Sequence, residues 1–147
     1  EGRRSAWPIP ARVDAAVLDH GPVLFVGDAA SATDALTGEG IGQALQTGIL
    51  AAEAALAGGT AVEVAALYRR TVRRELVADH RMSALLVRAI QHRKGARAAI
   101  RVAGLTPWTR RNFGRWLFED YPRAVAVTPR RWHRSVFTGP GAYRDAA

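Results

Sequence analysis

The stretch VLFVGDAASATDALTGEGIGQAL, residues 23–45, decides the fold because three different patterns follow one another in it. It opens with an apolar, β-branched and aromatic run bounded by glycines, which predicts a strand buried on both faces. A loop of small residues follows, and from Gly38 or Glu39 onward the spacing becomes helical. The charges in the stretch are all acidic, although the chain is rich in arginine. The sequence therefore predicts a strand, a small-residue loop and a helix, with cations kept away from their junction.

The predicted junction combines hydrogen-bond acceptors and donors. Asp28, directly after Gly27 at the end of the predicted strand, can accept hydrogen bonds from a ribose or ribityl hydroxyl. The backbone N–H groups from Gly38 through Glu39 and Gly40 to Ile41 would lie at the helix start, where they favour a phosphate or an electron-rich carbonyl. Glycines let a ligand approach the backbone closely. The pattern indicates a site for an anionic, hydroxyl-bearing ligand that needs no cationic side chain.

Two other nucleotide motifs are excluded by their spacing. The dinucleotide fingerprint G-x-G-x-x-G would require glycine at Gln43 or Leu45. A phosphate-binding loop ending in Gly-Lys-Ser or Gly-Lys-Thr is also absent from the sequence. The unit that would carry a dinucleotide fingerprint is therefore not expected in this chain.

Composition limits the remaining chemistry. The 147 residues are enough for one ordinary domain with its own core. There is no cysteine, and the four histidines lack ligand spacing, so neither a thiolate site nor a zinc site is expected. The sequence shows no targeting segment and no apolar run long enough to span a bilayer. We expect a cytoplasmic location, with a peripheral contact at the inner face of the membrane.

Charge divides the chain into two parts. Residues 1–61 carry three arginines against seven acids, whereas residues 62–147 carry eighteen Lys and Arg against six acids. We predict a boundary between 61 and 62, with two regions that have different surfaces, and 62–147 as a basic helical region. The first part would hold an edge strand, the buried strand and a helix that ends at the glycines 58–59. This helix is neutral nearly all round, which predicts that it is buried.

The basic part predicts further helices. Thr60 can cap an amphipathic helix from about Val62 into the nineties, which should pack on the preceding helix. Thr106 can cap another, with Pro107 at its first position. The tail predicts a short helix followed by loop, so the chain as a whole should be mostly α-helical, with a few short strands near its N-terminus. The arginines of the long helix are predicted to form a solvated surface. No side chain of the sequence is predicted to be catalytic.

Residues 21–56 resemble the second flavin-binding motif of FAD-dependent oxidoreductases of the aromatic-hydroxylase fold, and within them the geranylgeranyl reductase group. The resemblance rests on Gly-Asp-Ala-Ala at 27–30, on Asp-Ala-Leu-Thr-Gly-Glu-Gly-Ile at 34–41 and on the small-residue helix that follows. The segment WPIP, residues 7–10, is similar to the one that leads toward this motif. Ala35 stands where the group usually has proline, and Ser31 where it often has glycine or histidine.

The resemblance implies an α/β parent enzyme of which this chain is the C-terminal portion, inactive by itself. Residues 1–61 would then form the C-terminal part of its FAD-binding domain. The resemblance assigns Asp28 to the ribityl chain of FAD, and Gly38, Gly40 and Ile41 to the helix start beside the isoalloxazine and pyrophosphate. The remaining members of the implied cofactor site are Gly27 and Glu39. The implied partners are FAD, the missing N-terminal part of the enzyme and an apolar or prenyl-lipid substrate.

The implied reaction is reduction of an isoprenoid double bond by NADH or NADPH through FAD. A monooxygenation on the same fold is an alternative within this class. A different class of function would be a basic helical module that binds an anionic membrane or nucleic acid, although no recognisable nucleic-acid motif accompanies the arginines.

Overall fold

The computed structural model describes residues 8–118, Ala124 and residues 127–129, and most of this part is helical. The strands are β1 (Asp19–His20) and β2 (Val23–Leu24), and a single 3-10 turn covers Gly27–Ala30. The helices are α1 (Ile41–Leu56), α2 (Ala61–Ile90), α3 (Arg93–Gly104) and α4 (Pro107–Phe118). The prediction of a mostly helical chain with short strands near its N-terminus is confirmed. The α/β fold of a parent enzyme stays a prediction.

The predicted buried strand is a two-residue arm of a hairpin. β1 and β2 pair antiparallel, with Asp19 opposite Leu24 and His20 opposite Val23. Val23 and Val26 are exposed, so the prediction that this run is buried on both faces is wrong for this structure. A strand is buried on both faces only where layers cover both, and the described residues supply no third strand to this sheet. The proline segment before it contributes one bridge, between Ala11 and Ala32.

Helix α1 starts and ends close to the predicted positions but is not buried. It begins at Ile41, after the N-cap residue Gly40, rather than at Gly38 or Glu39. Its end precedes the glycines 58–59, which both have positive φ. Four large apolar side chains on one face are 58–87% exposed, which contradicts the prediction of a buried helix. We call this face the α1 stripe: Ile41, Leu45, Ile49 and Leu56.

Helix α2 is capped as predicted. The Thr60 hydroxyl accepts a hydrogen bond from the Glu63 N–H, and the Glu63 carboxylate accepts from the Thr60 N–H at 2.8 Å. This reciprocal arrangement is a capping box. The Thr60 N–H, together with the Thr60 hydroxyl, lowers the pKa of Glu63. The helix then runs for 30 residues, so the predicted amphipathic helix is confirmed.

One buried cluster holds the part of the chain that ends at His80. Tyr68, Val72 and Leu76 of α2 lie at its centre, and Ala54 of α1 belongs to the same cluster. The Tyr68 hydroxyl donates a 2.7 Å hydrogen bond to the carbonyl of Phe25, which ties α2 to the end of the hairpin. Helices α1 and α2 thus contribute to one buried cluster in the part of the chain that ends at His80, as the predicted packing requires.

Two side chains of α2, Arg69 and His80, connect this helix to the segments that precede α1. Arg69 donates to both carboxylate oxygens of Asp19, at 2.6 and 2.7 Å. Arg69 keeps more than a third of its side chain exposed, so it lies at the surface as predicted, but it also pairs with Asp19, which is four-fifths buried. His80 lies 3.1 Å from the carboxylate of Asp14 through Nε2.

The chain divides into two compact units, one ending at His80 and the other beginning at Arg81. This division falls inside α2, whereas the sequence placed a functional boundary between 61 and 62. In the second unit α3 packs against α4, and α3 was not predicted as a separate helix. The start of α4 is as predicted, since the Thr106 hydroxyl accepts from the Thr109 N–H at 3.0 Å.

No helix within the described residues is long and apolar enough to cross a bilayer. Trp7 of the WPIP segment and the C-terminal tail beyond 129, for which a short helix and a loop are predicted, lie outside the described residues.

Candidate functional site

The turn at Gly27 anchors the candidate site to α1. Gly27 has a φ of +55°, and a methyl group added to it would lie 3.1 Å from the Ala44 Cβ. Its N–H donates a 2.9 Å hydrogen bond to the buried hydroxyl of Thr47. Both the backbone conformation and the close approach require glycine here. The turn is therefore fixed against the first half of α1, which determines where Asp28 lies.

Asp28 lies beside the N-terminal end of α1. Its Oδ1 accepts a 3.2 Å hydrogen bond from the Thr33 hydroxyl. A methyl group added to Gly40 would lie 3.5 Å from the same oxygen and 3.3 Å from the Thr33 Oγ1. Asp28 is exposed, and its Oδ2 accepts no hydrogen bond from a described residue. One carboxylate oxygen is thus held in place, and the other is open to a ligand.

The loop between Asp28 and α1 is organised by Asp34. The Asp34 Oδ2 accepts from the N–H of Leu36 at 3.2 Å, and from the N–H and hydroxyl of Thr37, each at 2.7 Å. The Asp34 carbonyl accepts from the Gly38 N–H, and its N–H donates to the carbonyl of Glu39. Asp34 is 6% exposed, so it serves the loop and not a ligand.

The predicted donors at the helix start fall into two groups. The Gly38 N–H is used by Asp34, and the Glu39 N–H donates to the Thr37 hydroxyl at 3.3 Å. These two were predicted to face a ligand through their N–H groups, and the loop consumes both. Gly40 and Ile41 lie at the helix start, where the first N–H groups have no intrahelical acceptor and no side chain caps them. The structure therefore brings Gly27, Asp28, Gly40 and Ile41 together, with Gly38 and Glu39 supporting the loop.

The two positions that depart from the family pattern behave differently. Ser31 has a φ of +52° and a ψ of +35°, a left-handed conformation that glycine adopts more easily. Ala35 lies in the turn that Asp34 closes through its side chain, so hydrogen bonds stiffen the loop where the family uses proline. Hydrogen bonds to Asp34 therefore hold this turn in place even though it contains no proline.

Sequence reasoning missed three hydrogen-bonding residues of the site. Thr47, Thr33 and Asp34 are all buried, and each bonds to the turn, to Asp28 or to the loop. Thr47 had a visible signal, since it is the single β-branched polar residue of a helix made mostly of Gly, Ala, Leu and Ile. Its hydroxyl also donates to the carbonyl of Gln43, which explains how it is tolerated inside the helix.

Metal chemistry has no candidate here, because the described residues contain no group of three or more His, Asp or Glu side chains that could hold an ion. The chain matches no protein-family model, no curated protein and no solved structure. The site must be interpreted from its own geometry and from the resemblance of residues 21–56.

Proposed function

We propose that this chain is the C-terminal FAD-binding part of a flavin-dependent oxidoreductase similar to the geranylgeranyl reductases. The enzyme would reduce an isoprenoid double bond with NADH or NADPH through FAD. The observation that supports this most is the position of the Asp28 carboxylate beside Gly40, at the start of α1. An acceptor for hydroxyls and donors for an anion lie side by side there, although the whole loop separates them in sequence.

The residues of the site would divide the work of holding FAD. Asp28 would accept hydrogen bonds from the ribityl chain, while the N–H groups at Ile41 and Gly42 would donate to the pyrophosphate or to the ring carbonyls. Gly40 has no side chain to block that approach. Thr33 would fix the rotamer of Asp28 through its 3.2 Å hydrogen bond. The bound flavin would supply the hydride chemistry, which no side chain of this site could provide.

The α1 stripe supports the proposal that more protein completes the flavin domain. Isolated exposed apolar residues are ordinary, but four large ones follow one face of a helix whose single charged residue is Glu53. The opposite face of α1 is already packed, with Thr47 and Ala54 buried. We place the N-terminal part of the enzyme on this stripe, and an apolar contact of this kind would hold the two parts together.

Titration of FAD into the apo form of the intact enzyme tests the cofactor site. Asp28→Ala should weaken FAD binding about ten- to a hundredfold, because a charged hydrogen bond contributes about 1.5–3 kcal/mol. Asp28→Asn should lose less, since its amide oxygen still accepts. Glu53→Gln, at an exposed position farther along α1, is the matched control and should bind FAD as the wild type does. Equal dissociation constants for wild type and Asp28→Ala would refute the role.

A melting curve separates this role from a purely structural one. If Asp28 served only the loop, through Thr33, then Asp28→Ala would lower the melting temperature and leave FAD affinity intact. Thr33→Val, which removes the donor to Asp28 Oδ1, should weaken FAD binding less than Asp28→Ala because the carboxylate itself remains.

Substitutions in the α1 stripe test the proposed partner separately. Leu45 and Ile49 are 65% and 58% exposed, so Leu45→Glu with Ile49→Glu should change the stability of this chain by less than about 1 kcal/mol. In the intact enzyme the same pair should cause dissociation or insolubility. An intact enzyme that folds and binds FAD normally with both glutamates would show that the stripe is not covered by the rest of the protein.

A further inference from the structure

We infer that the second unit docks on an anionic lipid bilayer through one face of α3. Between Arg81 and Phe118 the chain carries nine Lys and Arg residues and no Asp or Glu. Carboxylates from this span therefore cannot neutralise its cations, which makes it the most strongly charged part of the described chain. A surface of this kind attracts an anionic partner.

The cations of α3 form a regular row. Arg93, Arg97 and Arg101 follow one another at four-residue spacing, and Lys94 lies beside them; we call these four the basic row. Successive members are about 6 Å apart along the axis, and all four fall within about 100° around the helix. All four are exposed and form no hydrogen bond or ion pair with another described residue. The row can therefore meet several headgroups of one planar surface at once.

Aliphatic side chains border the basic row on both sides. Ile100 is 72% exposed at one edge, while Val102 and Leu105 are 57% and 71% exposed at the other. We call these three the aliphatic flank. The smaller residues Ala96, Ala99 and Ala103 occupy the remaining face and are half-buried. No residue of α3 is buried, so the helix has large apolar side chains to contribute to a further contact.

The combination of row and flank selects lipid over other anionic partners. Phosphates of either a bilayer or a nucleic acid would satisfy the cations. Only the bilayer offers an apolar layer just beneath its headgroups, where Ile100 and Leu105 could insert beside the arginines. A nucleic-acid backbone would leave these side chains against water or phosphate. The exposed aliphatic flank is therefore the observation that decides for an anionic membrane surface. This inference stands independently of the proposed flavin site.

Co-sedimentation of the full 147-residue chain with vesicles tests the inference. The probes are vesicles of phosphatidylcholine alone and of phosphatidylcholine mixed with phosphatidylglycerol, at low and high salt. We expect binding to the mixed vesicles alone, weakened by salt. Equal binding to both vesicle types, or no binding to either, would overturn the proposal without any variant being made.

Matched variants then identify the surface. Arg97→Gln with Arg101→Gln should reduce partitioning to mixed vesicles about tenfold or more. Arg70→Gln with Arg73→Gln removes the same charge from exposed positions of α2 and should reduce it by less than about threefold. Equal losses in the two pairs would mean that net charge, and not α3, controls binding.

The aliphatic flank separates lipid from nucleic acid. Ile100→Gln with Leu105→Gln keeps every charge and should lower vesicle partitioning about tenfold, because apolar insertion is lost. Glutamine is a good helix former, and an unchanged helical circular-dichroism signal confirms that α3 persists. If this pair binds vesicles as the wild type does, the aliphatic flank does not insert and the proposal fails. If the wild-type chain prefers duplex DNA to mixed vesicles at equal phosphate concentration, the surface is a nucleic-acid interface and the proposal fails as well.

Discussion

The apolar face of α2 is covered by other residues along one part of the helix and exposed along another. Before His80 it is covered, with Val72 fully buried, and toward the end of the helix it is open, with Ile90 40% exposed. Val72 and Ile90 are separated by about five full helical turns and so lie on the same side of the helix, which means that periodicity does not distinguish them. Helical spacing therefore tells which residues share a face, whereas the presence of something that covers the face is a property of the rest of the structure.

The same contrast separates the two units. The unit that ends at His80 surrounds Tyr68 and Val72 with the hairpin, the candidate site and α1. In the unit that begins at Arg81, the buried side chains of the described residues are small or polar, such as Ser83 and Asn112. Stability should accordingly reside in the first unit, while the surface chemistry of the second is free to serve a partner.

Leucine truncations on α2 should show the largest difference. Leu76→Ala removes a buried side chain and should cost about 2–5 kcal/mol of unfolding free energy, since it leaves a cavity. Leu85→Ala makes the same chemical change at an exposed position and should cost less than about 1 kcal/mol. Urea denaturation followed by circular dichroism measures both. Similar losses would mean that the second half of α2 is packed as tightly as the first.

Tyr68→Phe probes the link between α2 and the hairpin. It removes the hydroxyl that donates to the Phe25 carbonyl at 2.7 Å and leaves that acceptor unpaired. The expected cost is about 1–3 kcal/mol, measured by the same denaturation. A variant as stable as the wild type would show that water satisfies the carbonyl equally well.

Tyr68 should also make the stability of the first unit decline at alkaline pH. Burial raises the pKa of Tyr68 to about 12, whereas in the unfolded chain the pKa is about 10. The unfolded state thus releases its proton first. The stabilisation from Tyr68 is complete below about pH 10 and declines as pH rises toward 12. The difference in unfolding free energy between wild type and Tyr68→Phe should shrink across this interval, and a constant difference would contradict the burial of the hydroxyl.

Arginines on α2 should differ according to their partners. Arg69→Gln breaks the pair with both oxygens of Asp19 and should cost about 1 kcal/mol, since the guanidinium is only partly exposed. Arg73 is exposed and forms no ion pair with a described residue, so Arg73→Gln should be nearly neutral. The melting temperatures of the two variants test this difference. Equal melting temperatures would show that the pair of Arg69 with Asp19 does not stabilise the first unit.

Much of the helical framework is predictable because its signals are local. Thr60, Thr106 and the glycines 58–59 mark helix ends through hydrogen bonds to nearby backbone or through allowed backbone conformations. The burial of α1 and of the run at 23–26 was mispredicted because burial depends on elements far away in sequence. The approach of Asp28 to Gly40 was foreseeable as a strand-to-helix junction, but the hydroxyls of Thr33 and Thr47 that fix it were not, since threonine is common in loops and helices alike.

The smallest expected effect on stability comes from the backbone conformation of Ser31. It tests local backbone strain in the motif region of the first unit, and not burial. Ser31 has a left-handed backbone, and its side chain forms no hydrogen bond with a described residue. Glycine relieves about 1 kcal/mol of such strain but loses about half of that gain through the greater freedom of the unfolded chain. Ser31→Gly should therefore stabilise the protein by about 0.5 kcal/mol. Ala29→Gly, in the same turn without positive φ, should destabilise it by about 0.5–1 kcal/mol. Urea midpoints that move in the same direction for both variants would show that Ser31 carries no strain.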